Sequence, residues 1–185
     1  MIRHVHLISS FEELPSDPTR TALAGIISIS DPDHPLPTLS EDWGAMLRLS
    51  FDDAEYTASL IRTYGRVADF RDKHRHDPQA DDAKAVLQFL DQVEELGLKE
   101  LVLYCENGMS RSASIAQFVN RTRGATVSGG VLKAFNETLY YLLGNPMGYE
   151  TILRNMEKQE QEEDTLERER STLASLFDRA KKLLS

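Results

Sequence analysis

Short apolar runs that alternate with helical patterns constrain this chain more than any other feature. "HVHLIS" (4–9), "LAGIISIS" (23–30), "AMLRLSF" (45–51) and "ELVLYC" (100–105) have the length and side-chain content of strands. Helical patterns lie between and after them. "FEEL" follows the first run and "AEYTASLIRTYGRVADF" the third. "DDAKAVLQFLDQVEELG" carries apolar Ala85, Val86, Leu87, Phe89, Leu90, Val93 and Leu96 before Gly97 stops it. "SIAQFVNRTRG" and "SGGVLKAFNETLYYLLGNP" supply two more, the second expected from just after Gly130 to Gly144. This alternation predicts an α/β fold with a mostly parallel sheet of about four strands and helices on both faces. Sheets of that kind bind ligands beyond the carboxyl ends of their strands, so the residues just after each run are the ones to inspect for chemistry.

A chain of 185 residues suits one domain with an appendage. The domain is expected over residues 1–156. From 157 to 185 the composition turns sharply charged and reads as one long helix, with Leu166, Leu173, Leu176, Ala180 and Leu183 on a single apolar seam. That seam is expected to dock on its own domain, with self-association or contact with a partner helix as the alternatives. "DFRDKHRHDPQADD" (69–82) has no apolar period and is expected to be a solvated loop. A single cysteine excludes an internal disulfide framework and suits a reducing cytoplasm. No run approaches a membrane span, and the start "MIRHVHLISS" lacks the apolar core of a signal peptide. A net charge of -9 argues against a nucleic-acid binder, although a local site can still hold an anion against the global charge. The pairs His4/His6 and His74/His76 have no partner at ligand spacing, so neither a metal nor a cofactor is expected.

The chain's one cysteine stands in "YCENGMSRSAS" (104–114), between the fourth apolar run and a helix. A lone cysteine at the end of a buried strand is ordinarily a small core hydrophobe. Its neighbours argue for more. A strand that ends in Cys105 and turns through Glu106, Asn107, Gly108, Met109 and Ser110 into a helix near Arg111 aims successive backbone N–H groups into a concavity, which binds phosphate. The same amides and the positive end of the helix dipole favour thiolate over thiol, and the thiolate is the nucleophile. Gly108 permits the backbone angles that the curl needs. Arg111 offers a planar fork to two phosphoryl oxygens, and Ser112 is placed to hydrogen-bond the sulfur as it leaves.

Cys105, Gly108, Arg111 and Ser112 resemble the Cys-x5-Arg-Ser signature of the cysteine-based protein tyrosine phosphatases, and the wider layout is similar to the small bacterial members related to dual-specificity phosphatases. The resemblance covers roughly residues 1–156. It implies the tyrosine phosphatase fold and hydrolysis of phosphomonoesters, on a phosphorylated protein or a small aryl phosphate, through a phosphocysteine. Two positions depart from the family pattern: Tyr104 stands where a histidine usually precedes the cysteine, and Glu106 and Asn107 occupy a loop that is otherwise smaller and less acidic. A binding module for phosphoproteins with little or no turnover is the alternative reading.

Phosphoryl transfer from an alkoxide or tyrosinate also needs an acid. "RLSFDDAEY" offers Asp52 and Asp53 at the end of the third apolar run. Leu47, Leu49 and Phe51 share one face, so Asp52 continues the opposite face and Asp53 begins the loop. The resemblance aligns Asp53 with the family's acid. Asp52 is the second candidate and Asp31, in "SISDPDH", the third. Either aspartate of the pair could instead cap the helix that follows.

Overall fold

The computed structural model describes residues 1–34, 38–105, 110–130 and 135–183. Among them five strands, β1 (His4–Ile8), β2 (Ala24–Ser30), β3 (Ala45–Ser50), β4 (Glu100–Cys105) and β5 (Thr126–Ser128), form one sheet in the order β3-β2-β4-β1-β5. Every neighbouring pair is parallel. The four apolar runs are therefore strands. The sequence reading missed β5, whose three residues "TVS" are too short to show a period and are defined by pairing with His4 to His6.

Among the described residues, seven helices accompany the sheet: α1 (Pro18–Thr21), α2 (Ala58–Ile61), α3 (Val67–Lys73), α4 (Ala80–Glu95), α5 (Arg111–Arg123), α6 (Glu137–Gly144) and α7 (Gly148–Leu183). They cover its two faces unequally. Val5, Leu7, Ile27, Ile29, Leu101 and Leu103 point to one side and meet α4, α5 and α6 through Val86, Leu90, Ile115, Val119, Leu139 and Leu142. The alternate residues Ala24, Ile26 and Val102 point to the other side, where Leu14, Leu39 and Trp43 close a smaller core. A short 3-10 turn (Phe11–Glu13) and α1 lie along that second side, and Arg20 and Thr21 line the same cavity as Ile8, Trp43 and Val102. The period of two along each strand thus splits its apolar residues between two cores.

Three expected stretches differ in the structure. The single helix expected from Ala54 to Phe70 is two, α2 and α3, interrupted around Gly65. Thr57 caps the first by accepting from Leu60 N, while the second starts where Glu160 of α7 accepts from Val67 N at 2.7 Å. The stretch 69–82, expected to be a solvated loop, begins inside α3 with Phe70 buried. It continues through His74, stacked on Phe70 and bonded at 2.6 Å to the buried Asp77. Its apolar anchors are ring faces shared with Tyr56 and Tyr64, which a search for apolar periodicity does not register. The helix expected after Gly130 starts at Glu137, with Asn136 as its cap; residues 131–134 lie outside the described ones.

The charged carboxyl-terminal segment continues α7 without a break. Its first turns are anchored by buried Tyr149 and Leu153 and by Arg71, which lies 3.2 Å from Glu150 and 3.3 Å from Glu157. Residues 161 to 176 are all exposed, so this part of the seam does not dock on the body of the domain. Among the described residues no helix is long and apolar enough to cross a membrane.

Helix α4 approaches the sheet over Gly25 of β2. A Cβ at that position would stand 2.7 Å from Val93 Cγ2, and Val93 is a buried β-branched residue with little freedom to turn away. Gly25→Ala should therefore destabilise the fold by about 1–3 kcal/mol, read as a lower urea midpoint with unchanged slope. Exposed Gly97→Ala is no control for this, because its φ of 73° adds strain of its own.

Candidate active site

The register of the sheet sets the site. Cys105 pairs with Ile29, and Ile29 with Leu49, so the ends of β4, β2 and β3 are level. Asp31 and Phe51, each just past its strand, therefore lie level with the end of β4, Asp31 on the adjacent β2 and Phe51 one strand further out on β3. Cys105 is buried and belongs to the main core, whereas the preceding Tyr104 packs its ring edge against Phe11 with centroids 6.1 Å apart. The strand's alternation sends these two neighbours to opposite faces.

Beyond the strand, Glu106, Asn107, Gly108 and Met109 lie outside the described residues. The chain is described again from Ser110, the N-cap of α5. Ser110 makes no side-chain capping bond; its hydroxyl donates instead to Asp53 Oδ1 at 2.9 Å. Among the described residues, helix α5 thus opens without a capping side-chain oxygen, the condition in which a helix N-terminus accepts an anion. At its far end Gly124, with φ of 68°, closes it in the left-handed conformation.

Arg111 and Ser112, at the first two positions of α5, are fully buried. Ser112 Oγ lies 3.1 Å from Cys105 Sγ. Arg111 Nη1 donates to the carbonyl of Phe51 at 2.6 Å and pairs with Asp31 Oδ1, also at 2.6 Å. The guanidinium therefore holds the ends of β2 and β3 to the start of α5. Its Nε and Nη2 are buried and have no hydrogen-bond partner among the described residues. A buried charged donor left in that state costs free energy unless a ligand completes it. Two adjacent N–H edges of a guanidinium match two oxygens of one tetrahedral oxyanion.

The two aspartates after β3 diverge. Asp52 is partly buried, and its backbone N–H donates to the carbonyl of His76 at 2.7 Å. Asp53 is exposed and accepts from Ser110 Oγ and, at 3.0 Å, from Asn136 Nδ2. Asn136 is fully buried, donates also to Ala54 O, and accepts from Leu139 N as the cap of α6. Its own carbonyl accepts from Ser114 Oγ of α5. Tyr56 completes the clamp: its N–H donates to Thr138 Oγ1, and the Thr138 hydroxyl donates back to Tyr56 O. Burial, with Tyr149 and Asp77 adding to it, holds the Tyr56 phenol well above the usual tyrosine range, so it remains the donor to Pro78 O at 2.7 Å.

The structure therefore gathers Cys105, Ser110, Arg111, Ser112 and Asp53 at one end of the sheet. Asp31, weighed as a third candidate acid, is the ion-pair partner of Arg111. No protein-family model matches the chain, and no curated protein matches it by sequence. Among solved structures, the crystal structure of Tk-PTP in the active form is similar at a TM-score of 0.39 and 14% identity, over 84% of this chain and 92% of that one. A similarity of that size is too low to carry an activity from one chain to the other.

Sequence reasoning missed two participants. Asn136 falls inside the helix expected from just after Gly130, and nothing local says that a cap near the end of the domain reaches Asp53, 83 positions away. The Asp31–Arg111 pair spans 80 positions and follows from the register alone.

Asp31→Ala removes the carboxylate from a guanidinium that stays buried. Because Asp31 is partly solvated, the loss should be about 1–3 kcal/mol, below the range for a fully buried pair. Asp31→Asn, which keeps an acceptor oxygen, should lose less. Equilibrium denaturation of the two variants reads the difference, and equal losses would show that the acceptor oxygen contributes nothing once the charge is gone.

Proposed function

We propose that this chain is a phosphomonoester hydrolase that works through a phosphocysteine, of the protein tyrosine or dual-specificity phosphatase type. The observation that carries the reading is the buried guanidinium of Arg111, with two nitrogens unpartnered among the described residues, next in the chain to a serine that contacts the sulfur of Cys105. An oxyanion with a phosphorus within reach of sulfur satisfies both.

In this reading Cys105 Sγ attacks phosphorus as a thiolate, the bond from phosphorus to the leaving oxygen breaks, and Asp53 gives that oxygen its proton. Arg111 Nε and Nη2, with the amides expected from the loop 106–109 and from Ser110, hold the equatorial oxygens. Ser112 donates to the sulfur when water, activated by the now ionised Asp53, cleaves the bond between sulfur and phosphorus. Arg111 and the amides supply the positive field, and the proposed steps need no metal. Substrates are a phosphorylated protein or a small aryl phosphate.

Hydrolysis of an aryl phosphate by the purified chain tests the proposal. Cys105→Ser should abolish turnover, because a serine hydroxyl at this site is hardly ionised, while thermal stabilisation by inorganic phosphate persists. Turnover comparable with the native chain in that variant would sink the mechanism. Arg111→Lys should lose both turnover and stabilisation by phosphate, since an ammonium cannot reproduce the two-pronged contact. A native chain that binds phosphate without hydrolysing any ester would instead favour the phosphoprotein-binding module.

The acid is tested by leaving group. Asp53→Asn should lower kcat about 10²- to 10⁴-fold for phosphotyrosine and much less for a nitrophenyl ester, whose leaving group needs little protonation. If Asp52→Asn shows that dependence and Asp53→Asn does not, the assignment moves by one residue.

A further inference from the structure

The pair His74/His76 has no part in the steps above, yet the segment 74–79 that holds it, between α3 and α4, is built around His74. The His74 side chain is 11% exposed and stacks on Phe70 with ring centroids 4.5 Å apart. Its Nδ1 lies 2.6 Å from Oδ2 of buried Asp77, and its Nε2 lies 3.0 Å from the Tyr64 hydroxyl. A carboxylate only accepts, so Nδ1 is the donor of the first bond. The backbone closes the same turn: Asp77 N–H donates to His74 O at 3.2 Å, and Gln79 Nε2 donates to His74 O at 2.8 Å and to Asp77 O at 2.9 Å. Connections that only run over a surface are ordinarily far less braced than this one.

The turn offers two further carbonyls to the stretch that carries Asp53. His76 O accepts from Asp52 N–H and Pro78 O accepts from the Tyr56 hydroxyl, each at 2.7 Å. Asp52 and Tyr56 stand on either side of the acid in the chain. The first bond matters more, because Asp52 N belongs to the same planar peptide unit as Phe51 O, which accepts from Arg111 Nη1 at 2.6 Å. One rigid plane is therefore gripped from both edges, by the guanidinium at the anion site and by the turn that His74 locks. Its orientation fixes how the chain leaves β3, and Asp53 follows one residue later.

We propose that His74 is a positioning residue for the acid: by locking the turn 74–79 it fixes the peptide between Phe51 and Asp52, and so the place of the Asp53 carboxyl relative to a phosphate on Arg111. This inference rests on the phosphatase reading. His74 acts through Asp53 and not on the reacting atoms. Ser110 and Asn136 hold the carboxyl itself from the side of α5 and α6, while the turn sets the backbone that carries it. Loss of the bonds of His74 displaces the acid but leaves the anion site, because Asp31 still holds Arg111. A displacement of about 1 Å in a reacting geometry costs about 10²-fold in rate.

His74→Phe keeps a ring against Phe70 and drops both hydrogen bonds. It should lower kcat for phosphotyrosine about 10- to 100-fold and for a nitrophenyl ester less than about threefold, with KM and thermal stabilisation by inorganic phosphate little changed. His74→Asn, whose amide can donate to Asp77 in place of Nδ1–H, should recover part of the loss. The double variant decides. With Asp53→Asn in place, His74→Phe should lower kcat for phosphotyrosine by less than about a further twofold, since an acid that is absent cannot be misplaced. If circular dichroism shows His74→Phe unfolded, Asp77→Asn, which leaves a weaker neutral acceptor, should show the same pattern with a loss of about three- to tenfold. No loss, equal losses on the two esters, or a full loss that persists beside Asp53→Asn would overturn the positioning role and leave the phosphatase reading intact. A native chain that hydrolyses neither ester would overturn that reading and this inference with it.

Discussion

A guanidinium in the interior cannot be left without a counter-charge, and the arrangement of this molecule's site turns on how Arg111 meets that requirement. Its Nη1 takes the carboxylate of Asp31 and the carbonyl of Phe51, at 2.6 Å each. These groups lie just past β2 and β3, while the arginine opens the helix after β4. One side chain thus joins the carboxyl ends of three neighbouring strands. What it leaves over, Nε and Nη2, are donors with no partner among the described residues. The same residue that fixes the site's frame supplies its strongest demand for an anion.

The acidic side of the site is held by other parts of the chain. Asp53 follows β3 but is oriented by Ser110 at the head of α5 and by Asn136 at the head of α6. Its loop is then tied down at Tyr56, which exchanges hydrogen bonds with Thr138 and reaches Pro78 through a phenol that burial keeps protonated. Asn136 uses both polar atoms of its side chain in this work: one bond caps a helix and two fix a loop. A buried polar residue that is fully satisfied gives a loop one geometry where water would allow many.

Helix α7 shows how far one element can serve two environments. Its first turns bury Tyr149 and Leu153, and Glu160 supplies the acceptor that starts α3, so that stretch belongs to the domain. The turns from 161 to 176 share its backbone but none of its burial.

The α/β alternation, four of the five strands among the described residues, the helix after the cysteine, and the grouping of Cys105, Arg111 and Ser112 were legible in the order of residues alone. Each is a local property, carried by residues within one element or one turn, where side-chain period and backbone preference act over a few positions. That order did not reveal β5, the break between α2 and α3, the ring-packed course of 69–82, or the roles of Asp31 and Asn136 beside Arg111 and Asp53. Three residues of strand have no period to read, and the helix break is stabilised by a glutamate 93 positions away. The two site contacts join residues 80 and 83 positions apart. Only the parallel register of the sheet, which makes the ends of β2, β3 and β4 level, and the packing of α6 against that end bring those residues together, because a contact between distant residues is decided by where whole elements dock and not by the residues beside it in the chain.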